Sequence, residues 1–197
     1  MRPYPGSMAF RRSLLVLPLA LVAAAAIAQP ASALAPAPRI AHATMVYYLV
    51  GGTTADQVRA RIDKRRPAAP DGSHFDAYTH WEYRWNWPGY GTSSCTLSQA
   101  RVTVKVTVSF PRWTHPKGAA PALTSAWARY SKALARHEKG HVDYAVARYP
   151  AVVRAIKSST CAHADAAATA QLNLIRRHDV AYDASTQHGA TQGARFP

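Results

Sequence analysis

His137-Glu138-Lys139-Gly140-His141 sets two imidazoles four residues apart with a carboxylate between them. On an α-helix, residues four apart stand about 40° apart around the axis and one turn up, so both rings can reach one cation. Two such nitrogens suit a tetrahedral zinc ion, and Glu138 then reaches the water that an open zinc position holds. Zinc lowers the pKa of that water toward about 7, and the carboxylate takes its proton as the water attacks a carbonyl. The chemistry expected is hydrolysis with Zn2+ as cofactor, His137 and His141 as ligands and Glu138 as general base.

A zinc hydrolase needs a third protein ligand and an open fourth position. The chain has only two glutamates, Glu82 and Glu138, so no downstream Glu can serve. Ala147 stands where a third His of an extended helix motif would be. Asp143 points about 200° away from His141 around the helix. His163, Asp165 and His178 read as helix-surface residues, and Asp179 is a further downstream carboxylate. Asp183 and His188 lie in Tyr182-Asp183-Ala184-Ser185-Thr186-Gln187-His188-Gly189. A segment returning across the helix could supply a ligand, a carboxylate behind an imidazole, and the Tyr182 phenol as a catalytic group for an oxyanion. His188 is the expected third metal ligand, with Asp183 its nearest rival.

The elements that position these residues are legible from periodicity. Leu123, Trp127, Tyr130, Leu134, His137, His141 and Ala145 step by three and four, one stripe of a helix that Pro150 ends or kinks. Val102, Val104, Val106, Val108 and Phe110 alternate with polar residues, predicting a half-buried strand of an antiparallel sheet that ends at Pro111. Further strands are predicted at Met45 to Val50 and Tyr78 to Trp87. A capping box at Thr54 to Gln57 opens a short helix ending near Arg66. A last helix is predicted from about Ala164 to His178, and Tyr182 to Pro197 is read as an ordered loop. Strands first and helices later predict an α+β domain, a small antiparallel sheet with helices on one face. An exposed edge of the Val102 to Phe110 strand would suit an extended peptide.

Arg11 and Arg12 precede an uncharged apolar run from Leu14 to Ala28, about the length of a signal-peptide core and short for a membrane span. Residues 1–33 are therefore read as a signal peptide, 34–42 as a linker and 43–197 as one domain that is secreted or periplasmic, with no stable membrane span once the leader is cleaved. Cys95 and Cys161, exported into an oxidising space, are expected to pair. Net charge is +14, with about +11 left after the leader. That charge favours anionic partners such as a cell-envelope polymer. The basic residues are not interleaved with stacking aromatics, so nucleic acid is not an expected partner.

Several stretches together resemble a bacterial domain-of-unknown-function family described as predicted secreted zinc-dependent proteases. They are Tyr47 to Thr53, Phe110-Pro111-Arg112-Trp113, the HEKGH segment, and the tail with Tyr182-Asp183, Thr186, His188-Gly189 and Gln192-Gly193-Ala194. The resemblance covers roughly residues 43–197. It implies that the tail belongs with the metal site but supplies no substrate; a peptide or protein substrate is the expectation of the hydrolase reading. The leading expectation is a zincin-like fold, with HExxH on the long helix, and metalloprotease activity. A non-catalytic exported zinc-binding envelope protein, and an amidase acting on cell-wall peptide, remain the alternatives.

Overall fold

The alternating stretch around Val106 becomes the middle of the sheet. The computed structural model describes residues 34–35, 37–69, 72–115 and 117–197, and the expected leader lies outside them. In chain order the elements are β1 (Thr44–Val50), α1 (Ala55–Arg65), β2 (Tyr78–Asn86), β3 (Arg101–Trp113), α2 (Pro121–Ala147), α3 (Tyr149–Lys157) and α4 (Ala164–Thr186). Single 3-10 turns lie at Leu97–Gln99 and Ala190–Gln192.

The three strands are ordered β1-β3-β2. β2 runs antiparallel to β3, with Trp81 opposite Val106, whereas β1 runs parallel to it, with Tyr47 opposite Phe110. The sheet is thus mixed, not antiparallel as expected. Alternation reports one buried face and is silent about the direction of the neighbouring strand. β3 is also central, so its edges are occupied, and the strand bordering open space beside the helices is β2. Pro111 does not end β3, which continues to Trp113. The ladder to β2 stops at Ser109, so at Pro111 only β1 remains alongside, a setting in which a strand tolerates a missing N–H.

Two apolar clusters meet the even-numbered face of β3. Val106, Val108 and Phe110 pack with Val58 and Ile62 of α1 and with Leu123, Trp127, Tyr130 and Leu134 of α2. Val102 packs with Tyr83, with Val152 and Ile156 of α3, and with Ala168, Leu172 and Ile175 of α4. The odd-numbered face shows Arg101, Thr103 and Lys105 to solvent. Helices on one face of a small sheet are therefore what the chain builds. The segment read as a linker also contributes: Ala35 and Ile40 are buried, and the Ala35 N–H donates to the Trp113 carbonyl at 3.0 Å.

Local chemistry accounts for the helix ends. Thr54 caps α1 by accepting from the Gln57 N–H, and Gln57 Oε1 accepts from the Thr53 N–H at 2.9 Å. Pro150 sits in the first turn of α3, where its missing N–H has no helical partner in any case. Among the described residues, no helix is long and apolar enough to cross a membrane.

Cys95, just before β3, is disulfide-bonded to Cys161, in the turn before α4. The bridge closes a loop of 66 residues holding β3, α2 and α3. Loop-closure entropy for that length corresponds to about 4 kcal/mol of stabilisation. The double variant Cys95→Ser/Cys161→Ser is expected to lose about that amount in denaturant unfolding at unchanged helix content. A loss under about 1 kcal/mol would mean that the segments stay together without the bond.

Candidate metal centre

The helical stripe of α2 carries apolar residues until it reaches His137 and His141, which are buried with only 3% and 7% exposure. Facing them is α4, whose own stripe of Ala164, Ala168, Leu172 and Ile175 continues as Asp179, Asp183 and Thr186. The two helices run antiparallel here, so the i, i+4 pair on one meets the i, i+4 pair on the other. Asp183 Oδ1 lies 3.0 Å from His137 Nε2 and 3.1 Å from His141 Nε2, and the two nitrogens are 3.3 Å apart. His137, His141 and Asp183 are the described residues whose ligand atoms cluster closely enough to hold a metal ion.

The surrounding bonds assign the ring tautomers. Asp179 Oδ1 can only accept, so His141 Nδ1, 3.0 Å away, donates to it and turns Nε2 toward Asp183. The Thr186 hydroxyl donates to the Tyr182 carbonyl at 2.7 Å, so its oxygen accepts the longer bond from His137 Nδ1 at 3.4 Å. Both Nε2 atoms face Asp183 Oδ1, which also can only accept, so without a metal ion a ring proton bridges them to it. With the outer nitrogens so engaged, the three inner atoms call for positive charge among them, as ring protons or as a metal ion.

The electrostatics record that demand. Burial lowers the His141 pKa, but the bonds to Asp179 and Asp183 and the charge of Glu138 outweigh it and push it up to about 10. Burial works the other way on Asp183, yet its bonds to His137 and His141 hold it well below the usual carboxylate range. Glu138 is buried beside them, and its burial raises its pKa against the opposing bond from Thr79. That bond, Thr79 Oγ1 to Glu138 Oε2 at 2.6 Å, ties the carboxylate to strand β2. Trp81, two residues on, donates Nε1–H to Asp179 Oδ2 at 2.8 Å, so β2 also steadies the carboxylate behind His141.

Two glycines let the parts approach. A Cβ on Gly140 would stand 2.5 Å from the Tyr182 hydroxyl and 2.6 Å from its ring. A Cβ on Gly189, whose φ is +81°, would stand 2.9 Å from the His137 ring. Tyr182 stacks on His137 with ring centres 5.0 Å apart and planes 8° from parallel. Its hydroxyl accepts from Gln192 Nε2 at 3.0 Å.

The site opens into a cleft of about 810 Å³ whose wall includes Thr79, Trp81, His137, Glu138, His141, Asp179, Asp183 and His188. Of the two rivals for third ligand, Asp183 is brought to the histidines, while His188 stands beside it. Its Nδ1 is 3.6 Å from Asp183 Oδ1, its side chain is 55% exposed, and its ring leans on Phe75 at 4.7 Å. Tyr182 is not part of the cleft wall; it packs behind His137 with its phenol held at Gln192. The expected terminal loop is instead helical through Thr186, which is what places Asp183 one turn beyond Asp179. His178 stacks on Tyr144, Asp165 accepts from Trp85 and Tyr90, and Asp143 pairs with Lys139, all outside the cluster. The roles of Asp179, Thr79 and Trp81 have no signal in the sequence before α4 and β2 are placed side by side.

The cleft wall is held from behind by Asp76. Its two oxygens take both terminal nitrogens of Arg59 at 2.7 Å, and the Tyr130 hydroxyl donates to it at 2.8 Å. Burial raises the Asp76 pKa, but these bonds outweigh it and the net shift is downward. A depressed folded pKa means stability that is present above the unfolded value and lost as the pH falls through the folded one. Asp76→Asn is expected to cost about 1.5–3 kcal/mol at neutral pH and to flatten the acid limb of the stability curve. An unchanged acid limb in urea titrations would remove Asp76 from that role. At Gly140, Ala is the better helix former by about 1 kcal/mol. Gly140→Ala is nevertheless expected to displace Tyr182 and weaken metal binding about tenfold or more, measured by competition with a chelator. Equal affinity in the two proteins would show that the Tyr182 stack is dispensable.

No curated protein and no solved structure matches the chain. A family model does match, over residues 45–189, a span that takes in the sheet, the HEKGH helix and Asp183 through His188. The chain belongs to the family described as "Bacterial protein of unknown function (DUF922)".

Proposed function

We propose that this chain is a secreted zinc-dependent metalloprotease, with zinc held by His137 Nε2, His141 Nε2 and Asp183 Oδ1. The observation that carries the proposal is the spacing of those three atoms, 3.0, 3.1 and 3.3 Å. Ligand atoms about 2.0–2.1 Å from a tetrahedral zinc stand about 3.3–3.4 Å from one another, so the cluster is close to the edge lengths of that tetrahedron. Two neutral imidazoles and one carboxylate are also a donor set that zinc accepts, leaving one position open toward the cleft.

Bound zinc supplies Lewis acidity, acidifying water and polarising a carbonyl oxygen. The chain's own residues do the rest. Glu138 holds the attacking water, takes up its proton and returns it to the leaving nitrogen, and its burial raises its pKa. Thr79 keeps that carboxylate in place, and Asp179 and Thr186 keep the imidazoles turned the right way. β2, the sheet-edge strand along the cleft, offers a bed for an extended peptide. An amidase acting on cell-wall peptide would use the same groups. His188, 3.6 Å from Asp183, favours one further reading, a closed four-ligand zinc site in an exported binding protein.

Metal content separates the open three-ligand site from the closed four-ligand one. The wild type is expected to hold one zinc per chain, Asp183→Ala to lose it, and His188→Ala to keep it. Zinc lost with His188 as well as with Asp183 would favour the closed site. Glu138→Gln is expected to keep the metal while peptide hydrolysis falls about 10²–10⁴-fold. Undiminished hydrolysis in that variant would end the proposed mechanism, and absence of zinc in the wild type would end the metal assignment.

A further inference from the structure

A second recess, sharing no residue with the cleft, lies on the solvent side of α2, where the C-terminal tail packs against the helix. It has a volume of about 480 Å³ and is walled by Arg129, Lys132, Arg136 and Arg195 together with Gln192 and Gly193. No Asp or Glu side chain lines it; the carboxylate at its wall is the terminal one of Pro197, which pairs with none of the four cations. Arg129, Lys132 and Arg136 fall within about 60° of one another around α2 and span about 10 Å of its length. Arg195 faces them from the tail. All four are exposed, and among the described residues none makes an ion pair. The two hydrogen bonds they do make go to neutral oxygens, Arg136 to the Gln192 carbonyl at 2.6 Å and Arg195 to Gln187 Oε1 at 3.4 Å.

We infer that this recess binds a linear phosphate-bearing polyanion. Four cations that make no ion pair crowd one concavity and outnumber the single terminal carboxylate at its wall, and an anionic ligand relieves their repulsion. Guanidinium forks match phosphate oxygens in pairs, and three of the four groups are arginines. A stripe about 10 Å long suits successive phosphates of a chain better than a single ion, and a concave recess admits a chain where a flat lipid surface would bridge over it. The recess is also wired to the metal centre. Arg136 holds the Gln192 backbone, the Gln192 side chain holds Tyr182, and Tyr182 stacks on His137. The inference concerns a surface separate from the proposed active site and does not rest on zinc or on hydrolysis.

The test uses the purified protein and inorganic polyphosphate, with binding followed over a range of salt concentrations. The logarithm of the binding constant is expected to fall against the logarithm of salt with a slope near −3, from about 0.7 per phosphate neutralised. Arg129→Gln/Lys132→Gln/Arg195→Gln leaves Arg136 and its structural bond intact and is expected to weaken binding at least tenfold, with a slope about 2 units shallower. Arg101→Gln/Arg154→Gln/Lys157→Gln removes the same charge from another basic recess and is expected to stay within twofold. Circular dichroism checks the fold of both triple variants. Should the first lose structure, Lys132→Glu alone is expected to weaken binding at least threefold. Equal weakening by both triple variants would reduce the effect to net charge and overturn the inference. So would binding to phosphatidylglycerol vesicles without binding to polyphosphate, or tighter binding to polyglutamate than to polyphosphate.

Discussion

Three ligand atoms within 3.3 Å of one another, calling for positive charge among them, form the constraint around which the rest of this chain is arranged. His137, His141 and Asp183 must meet at one point in the right orientation, and the neighbouring elements hold them there. α2 and α4 must lie antiparallel and in register. Asp179 and Thr186 must occupy the outer ring nitrogens so that the inner ones stay free. Gly140 and Gly189 must lack side chains so that Tyr182 and the tail can close over His137. The apolar clusters on β3 supply the stability against which this concentration of polar groups is set.

The site draws on parts of the chain far apart in sequence. Glu138 reaches back 59 residues to Thr79, and Asp179 reaches back 98 to Trp81. β2 is therefore more than a wall of the cleft, since it fixes both the carboxylate beside the histidines and the carboxylate behind one of them. Its start is in turn anchored through Asp76 to α1 and α2. Rigid elements hold the reactive groups, and that is the condition under which three ligand atoms can stay 3.0–3.3 Å apart.

The α2 helix, the alternation of β3 and the pairing of Cys95 with Cys161 were readable because each rests on local period or on a count of two. The direction of β1 was not readable, because parallel and antiparallel neighbours bury the same face of β3. The end of α4 was hidden for a more instructive reason. Its stripe does not stop after Ile175 but changes chemistry, passing from Leu172 and Ile175 to Asp179, Asp183 and Thr186 as it moves off the core and onto the site. A hydrophobic period loses its signal where a helix turns to function. HEKGH was visible because its spacing is fixed within one helix. Asp183 was visible only as one of two rivals, since its choice over His188 depends on how far α4 runs.

The register of α4 bears on which changes of length this sequence can absorb. An added residue between Ile175 and Asp179 would turn everything beyond it by about 100° and carry it 1.5 Å along the axis. Both carboxylates would leave the histidines together while the apolar half of the helix stayed seated. The stretch after β3, by contrast, joins elements whose relative placement is set by core packing, so length there is free to drift. Divergence in this lineage should therefore show as gaps between secondary-structure elements and almost never inside the last three turns of α4.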